Sequence, residues 1–286
     1  MRIVLLGGNG MAGHMITAYL KRSTTHDIIV TVRPRSGVDG DWEVFEGIQA
    51  RELDARSFED VRALIEQTSP DIIINAVGIL NHHAEDHPLD AYKVNGLLPH
   101  WLRHLADRVG ARLIHISSDC VFSGARGNYV EDDIPDGSTV YARTKALGEI
   151  LGSQHVTIRT SIIGPDKKPD GIGLLQWFLS QEGEISGYQK VFWNGVTTLE
   201  LAKVIEWLLE RPEVGGLVHL TAAETVSKHN LLLMLQGHFD KGNVTIIPEE
   251  EPIIDRTLTA TRKDFEYRTP YYKEMLFELQ QWMASS

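Results

Sequence analysis

Residues 3–13 of the chain read Ile3-Val4-Leu5-Leu6-Gly7-Gly8-Asn9-Gly10-Met11-Ala12-Gly13. Four consecutive apolar residues with no polar alternation suit a strand buried on both faces of a parallel sheet. The glycines then give way to a stretch in which Met11, Met15, Ala18 and Tyr19 recur at helical spacing. Strand, glycine loop and helix in that order make a phosphate-binding turn. Gly7 allows the tight turn, Gly10 the close approach of backbone to a pyrophosphate, and Gly13 the packing of helix on strand. Unpaired N–H groups at the helix N-terminus add partial positive charge. Gly7, Asn9, Gly10, Met11 and Gly13 are therefore the expected dinucleotide contacts.

Strand and helix continue to alternate beyond this turn. Residues 28–32 read as a second strand. Ser57 opens a helix with Asp60 as a capping-box-like partner and Val61, Leu64 and Ile65 as its buried stripe. Pro70 stops it, and 72–77 is another buried strand. Helix is expected over 89–105 and 140–151, strand over 113–117 and 156–160. The pattern predicts an α/β fold, a Rossmann-type doubly wound parallel sheet. After Thr160 the rhythm breaks at a loop-forming stretch, 164–171. Helices are then expected at 174–179, 199–209, 230–235 and 272–282, and strands at 217–220 and 244–247. Residues 1–160 are thus read as an NAD(P)-binding domain completed by about 190–220. Residues 161–189 and 221–286 are read as a smaller, discontinuous C-terminal substrate lobe.

Charge and cysteine count exclude several classes. The 286 residues carry 28 Lys+Arg against 39 Asp+Glu, a net charge of −11, so no basic excess faces a nucleic acid. Cys120 is the one cysteine, which excludes an internal disulfide and a cysteine zinc cage. No apolar run approaches the ~20 residues of a membrane span. A cytoplasmic protein bound to neither membrane nor nucleic acid is the expectation.

Arg33, followed by Arg35, stands at the end of the second strand, where an NAD-preferring fold carries an acid for the ribose hydroxyls. A guanidinium there suits a 2′-phosphate, so NADP(H) is the preferred cofactor and NAD(H) the second option. Asp54 is expected either to accept from the adenine amino group or to cap the helix near Ser57. Tyr141 and Lys145 lie one helical turn apart and emerge on one face. A neighbouring ammonium is expected to lower the phenol's pKa from its ordinary value near 10. Ser117-Ser118-Asp119 follows a buried strand and brings a hydroxyl to the sheet's carboxyl edge. A carbonyl held between Ser118 and Tyr141 would be polarised for hydride attack.

Together these motifs resemble an extended short-chain dehydrogenase/reductase, most similar to the dTDP-4-dehydrorhamnose reductase family. The resemblance runs along nearly the whole chain: GGNGMAG at 7–13, NAVG at 75–78, SSDCVFSG at 117–124, YARTK at 141–145, RTSIIG at 159–164 and WNGVTTLELAK at 193–203. It implies Ser118, Tyr141 and Lys145 as the catalytic set, with Lys145 and Tyr141 also at the cofactor. Ala76, Val77 and Gly78 would run along the cofactor, and Ser161 and Ile162 would border the nicotinamide. Ser118, Asp119, Phe122 and Trp193 would meet the substrate, with packing as the alternative for Trp193. The implied activity is NAD(P)H-dependent reduction of the 4-keto group of a nucleoside-diphosphate-linked 6-deoxysugar, in polysaccharide biosynthesis. The sequence does not fix the oligomeric state and leaves a homodimer open.

Sister chemistries leave different residues. The 4,6-dehydratases carry Thr-Asp-Glu where this chain has Ser118-Asp119-Cys120, so the glutamate needed for elimination is absent. The 4-epimerases carry small residues after the serine, whereas Asp119, Val121 and Phe122 follow the reductases. Cys120 replaces their tyrosine and resembles GDP-fucose synthase, an epimerase-reductase; a small buried thiol is the simpler reading. A non-catalytic, NADP-binding regulatory subunit like the methionine adenosyltransferase β subunit is the non-enzyme alternative. The run from His82 to His87 is not expected to bind metal, and Glu249-Glu250-Glu251 reads as a solvated acidic loop. Arg256 stands where many relatives hold a diphosphate, with a poor local match.

Overall fold

The computed structural model describes residues 1–33, 47–152, 154–166 and 173–285. Arg35 lies outside the described residues, as does most of the loop expected at 164–171. Six strands come first: β1 (Arg2–Leu6), β2 (Asp27–Val32), β3 (Gln49–Glu52), β4 (Ile72–Asn75), β5 (Arg112–Ile116) and β6 (Val156–Arg159). Short strands β7 (Ile162–Ile163), β8 (Gly183–Tyr188), β9 (Val191–Trp193) and β10 (Val196–Thr197) follow, before β11 (Gly216–His219). Among the described residues, β11 joins the first six in one sheet of order β11-β6-β5-β4-β1-β2-β3, with every pairing parallel. The chain reverses direction across the sheet at β1 and β4. The connections that follow them leave to opposite faces, α1 on one side and the helices after β4 on the other, at the place where such sheets bind ligands.

β1 shows why the sheet is buried on both sides. Ile3 and Leu5 point into one apolar core, Val4 and Leu6 into the other, and none of the four is exposed. The first core is closed by α1 (Met11–Ser23) through Met15, Ile16 and Leu20. The second is closed by α2 (Phe58–Thr68) through Val61, Leu64 and Ile65. Ser57 caps α2, its hydroxyl accepting from the Asp60 N–H, and Asp54 takes no side-chain part in that cap.

Past β4 the chain forms α3 (Asn81–Asp86), α4 (Pro88–Ala91), a π-helical segment (Tyr92–Leu97) and α5 (Leu98–Val109). The helix expected over 89–105 is therefore present but widened in its middle, a distortion that often marks functional sites. The wide turn carries Asn95 into the interior, with no exposed surface. Its Oδ1 accepts from Ile79 N at 2.8 Å, while Nδ2 donates to Ile79 O at 2.9 Å and to Thr144 Oγ1 at 3.1 Å. Thr144 belongs to α6 (Val140–Leu147), so one amide joins the segment after β4 to the helix carrying Tyr141 and Lys145.

That helix ends at Leu147 instead of the expected residue 151. Gly148 presses against the π-helical segment, and a Cβ there would stand 2.0 Å from Asn95 O. The last third of the chain adds α7 (Leu174–Ser180), α8 (Thr198–Leu209), which packs on the α1 side of the sheet, β12 (Val226–Ser227), α9 (Lys228–His238), β13 (Val244–Glu249), β14 (Ile254–Asp255) and α10 (Tyr272–Ala284). β13 pairs with β8, and β12-β9-β14 form a second small sheet. Among the described residues, no helix is long and apolar enough to cross a membrane.

Gly148→Ala should cost about 1–3 kcal/mol, because the added methyl forces two packed helices apart. Urea denaturation measures it; an unchanged midpoint would show that the contact yields freely.

Candidate active site

Ser118 follows β5 and caps a single 3₁₀ turn, Asp119–Val121. Its Oγ accepts from Cys120 N at 3.1 Å and donates to Asp119 Oδ1 at 3.2 Å. Opposite stands the first turn of α6. Thr139 caps it through Oγ1, which accepts from Ala142 N at 3.1 Å, and Glu85 Oε1 accepts from Val140 N at 2.8 Å. A carboxylate at a helix N-terminus complements the helix dipole. Glu85, drawn from the histidine-rich run, thus holds α6. Its neighbours His82, His83 and His87 are exposed, and the described residues contain no group of three or more metal-ligating side chains.

The expected pair comes together: the Tyr141 phenol lies close enough to Ser118 for the hydroxyl to favour its ionised form. Its acidity runs opposite to expectation. Burial pushes the phenol's pKa up, nearby Cys120 and Asp119 add to the rise, and the Ser118 hydroxyl only partly opposes it. Spacing one turn apart puts Lys145 on the right face but does not fix where its ammonium points. Nζ donates to Ile116 O at 2.6 Å, at the end of β5, and the residue is 4% exposed. Burial brings Lys145 itself down to about 8, against the charge of Glu149. In the free protein Tyr141 is therefore a protonated donor.

Sequence reading missed the support beneath this pair. Glu149 Oε1 accepts from Ser117 Oγ at 2.8 Å and from Arg159 Nε at 2.7 Å, and Arg159 Nη2 donates to Glu149 Oε2 at 2.8 Å. This buried, bidentate pair joins the end of α6 to β5 and β6. Neither residue lies in a motif that marks it as paired. Asn95 was missed as well, because a π-helical turn leaves no signature in apolar spacing.

On the cofactor side, Gly7 has φ +94°, and its N donates to Thr31 Oγ1 at 3.2 Å. A Cβ on Gly13 would lie 2.1 Å from Gly7 O, and one on Gly7 would lie 3.1 Å from the Ala76 backbone. The turn thus needs glycine and rests on the end of β4, where Ala76 and Val77 follow and Gly78 lies against the Asn95 amide. Gly10 caps α1 without a side-chain bond, and the first turn of α1 holds no acid. Asn9 Oδ1 is buried without a partner. A cradle with an uncapped helix end and an unused polar atom fits a pyrophosphate. Met11, at the first position of α1, lies beside Gly173.

Arg33 is exposed at the end of β2. Asp54 is gripped by Arg56, with Nε on Oδ1 at 3.0 Å and Nη2 on Oδ2 at 2.7 Å. This holds the carboxyl below its ordinary pKa, with Arg33 adding to the effect. Arg56, a residue sequence reading passed over, also reaches Asp90 at 2.8 Å. Ser161 and Ile162 are half-buried beyond β6, Ser161 O accepting from Val196 N at 2.9 Å.

Two of the expected substrate contacts are buried in the free protein. Phe122 has no exposed surface: it stacks on Tyr129 at 4.1 Å, and the Arg159 guanidinium lies 5.0 Å from its ring centre. Trp193 is 4% exposed and stacks on Tyr272 at 5.4 Å, which is the packing alternative. Asp119 is buried, and burial raises its pKa against the charges of Lys228 and Arg256. Cys120 is half-buried and its thiol is pushed up to about 12, by burial first and by Asp119 next. Arg256 Nε donates to Phe122 O at 3.0 Å. A cleft of about 540 Å³ opens elsewhere, between Glu131, Arg159, Leu217 and Arg262, and none of Ser118, Tyr141 or Lys145 lines it.

Residues 1–252 match the family described as RmlD substrate binding domain. The chain is 24% identical over 271 residues to a dTDP-4-dehydrorhamnose reductase of Aggregatibacter actinomycetemcomitans, covering 91% of this chain and 85% of that one. It is 26% identical over 278 residues to methionine adenosyltransferase 2 subunit beta of Xenopus tropicalis, covering 91% and 77%. The crystal structure of dTDP-4-dehydrorhamnose reductase from Bacillus anthracis in complex with NADP shares the fold. Its TM-score is 0.78 at 19% identity, covering 100% of this chain and 99% of that one.

Lys145 titrates near 8 in the folded protein against an ordinary 10.5. Between those values the unfolded chain binds the extra proton, so stability from this site rises with pH. From pH 7.5 to 10.5 the wild type should gain about 1–3 kcal/mol on Lys145→Met in denaturant titrations. Parallel pH profiles would contradict the burial of that charge.

Proposed function

The chain belongs to the RmlD substrate binding domain family, and from that premise we propose that it is an NADPH-dependent reductase of a nucleoside-diphosphate-linked 4-keto-6-deoxysugar, working in the cytoplasm. The observation that carries the reading is the meeting of Ser118 and Tyr141 at the carboxyl edge of the sheet, on the same edge as the glycine cradle. Residues 1–160, completed by about 190–220, would hold the cofactor; 161–189 and 221–286 would hold the substrate.

When bound, the reduced nicotinamide supplies the hydride. The protein's part is to hold the ketone and deliver a proton. Ser118 and Tyr141 both donate to the keto oxygen, which draws charge toward it as the carbonyl opens. To do so, Ser118 turns its proton away from Asp119. Tyr141, already protonated, gives its proton to the forming alkoxide as a general acid. Lys145 spends one N–H on Ile116 O and keeps two, enough to hold a ribose hydroxyl and to ease the charge left on the phenolate. Gly7, Asn9, Gly10, Met11 and Gly13 would surround the pyrophosphate, with Ala76, Val77, Gly78, Ser161 and Ile162 along the rest of the cofactor. Arg33 supports a 2′-phosphate, since Arg56 already neutralises Asp54. The Bacillus anthracis neighbour's complex with NADP agrees with that preference.

The likeness to methionine adenosyltransferase 2 subunit beta over 91% of the chain favours a second reading, a subunit that serves a partner enzyme. The complete Ser118, Tyr141 and Lys145 set ranks it second.

NADPH oxidation should be seen with at least one of the dTDP-, UDP- or GDP-linked 4-keto-6-deoxysugars. Tyr141→Phe should lower kcat by about 10²–10⁴-fold while leaving NADPH affinity within a few fold. Undiminished turnover in that variant would end the mechanism; a stoichiometric partner enzyme with no turnover would favour the second reading. Arg33→Ala should shrink the preference for NADPH over NADH by about tenfold, roughly 1.4 kcal/mol, in fluorescence titrations. An unaltered ratio would remove Arg33 from the cofactor site.

A further inference from the structure

Lys228 is the first residue of α9, directly after its cap Ser227. A helix N-terminus is an unfavourable place for a cation, because the dipole puts like charge there. The side chain is half-buried and turned inward. Its Nζ lies 4.7 Å over the Trp193 ring, whose indole also stacks on Tyr272. Among the described residues it makes no hydrogen bond, and the groups that feel its charge are Asp119, Cys120 and Arg256. Burial brings it down to about 8.

The helix end, the burial and the unmade hydrogen bonds cost stability that the Trp193 face and the Asp119 charge only partly offset, and a structural lysine would have its N–H groups satisfied. Arg256, the other cation beside Asp119, already spends its Nε on Phe122 O. Asp119 accepts from Ser118, the hydroxyl assigned to the ketone. A carboxylate and an uncommitted ammonium therefore stand together one residue from the reacting position. Carboxylate as acceptor and ammonium as donor is the combination that reads a sugar hydroxyl.

We propose that Lys228 is a specificity-determining residue that, beside Asp119, donates to the hydroxyl on the carbon next to the ketone and so orients the sugar for Ser118 and Tyr141. The assignment rests on the reductase reading and adds the part of the substrate that is recognised. It also gives Trp193 a role without substrate contact, as the platform that holds the lysine. A buried donor left unpaired by a substrate lacking the hydroxyl penalises that substrate, which makes such sites selective.

The test compares kcat/KM for dTDP-4-keto-6-deoxyglucose and its 3-deoxy counterpart in wild type, Lys228→Met and Lys228→Arg, with NADPH affinity measured in parallel. Wild type should favour the hydroxylated sugar by about 10²-fold or more. Lys228→Met should bring that ratio close to one, chiefly through KM, with NADPH affinity unchanged, and Lys228→Arg should restore part of it. If Lys228→Met does not fold, Lys228→Gln, which keeps a single donor site, should give an intermediate ratio. A ratio in the substituted protein equal to that of wild type overturns the assignment alone. Absence of turnover by wild type on either sugar and on the wider panel overturns the reductase reading, and the assignment with it.

Discussion

The geometry of the site depends on how α6 is clamped to the end of β5. Two buried charged contacts do this. Lys145 Nζ reaches Ile116 O, and Glu149, held bidentately by Arg159, takes the Ser117 hydroxyl. They straddle Ser118 in sequence and bring Tyr141 to it in space. A hydrogen bond to a charged group contributes only about 1.5–3 kcal/mol net, and burying the charges costs a comparable amount. The clamp is thus a poor source of stability. What it supplies is direction, because a buried ammonium or carboxylate whose partner moves away is left with a large desolvation penalty. Two hydroxyls are in this way held near one another on two different elements.

Burial has a second consequence, which is the protonation state of the site. An exposed lysine one turn from a tyrosine would act mainly through its charge. Here desolvation outweighs it: Lys145 falls toward 8 and Tyr141 rises. A reductase needs a proton donor at the alkoxide, and the free protein presents a phenol that still carries its proton. The charge on the Tyr141 side therefore has to come with the ligands. Asp119 and Lys228 flank the same turn, and each favours the charged form of the other against burial.

What was legible in the sequence was local. β1, the glycine turn and α1 are consecutive, and their apolar run, glycine positions and helical period all agree, so the Rossmann-type sheet could be read from a dozen residues. Tyr141 and Lys145 share a helix face for the same reason. Several element ends were misjudged where a tertiary contact decides them. α6 stops at Leu147 because Gly148 meets the Asn95 carbonyl, a contact between residues more than fifty positions apart. Phe122 is expected at the substrate because it adjoins the turn after β5. In the fold its ring enters a small core with Tyr129 and Leu258, a packing that only the tertiary structure reveals. Lysine acidity, the Glu149–Arg159 pair and Lys228 all depend on which groups become neighbours after folding, and no spacing rule encodes that.

A protein of net charge −11 that takes an anionic cofactor and an anionic substrate must solve an electrostatic problem locally. The sheet half does so with backbone: an uncapped helix N-terminus with no acid in its first turn, and an aspartate already neutralised by Arg56. The C-terminal segment brings side chains, Lys228 and Arg256, and is joined to the loop after β5 by specific contacts. Arg256 donates to Phe122 O, Asp255 N to Gly124 O at 2.7 Å, and Asn194 brackets the Leu258 backbone at 2.7 and 3.1 Å. Those bonds set the position of the two cations relative to Ser118. On the proposed assignment the sugar's orientation follows from Lys228 and the chemistry of its ketone from Ser118 and Tyr141, so a change at Lys228 can alter the sugar accepted while the clamp on α6 stays in place.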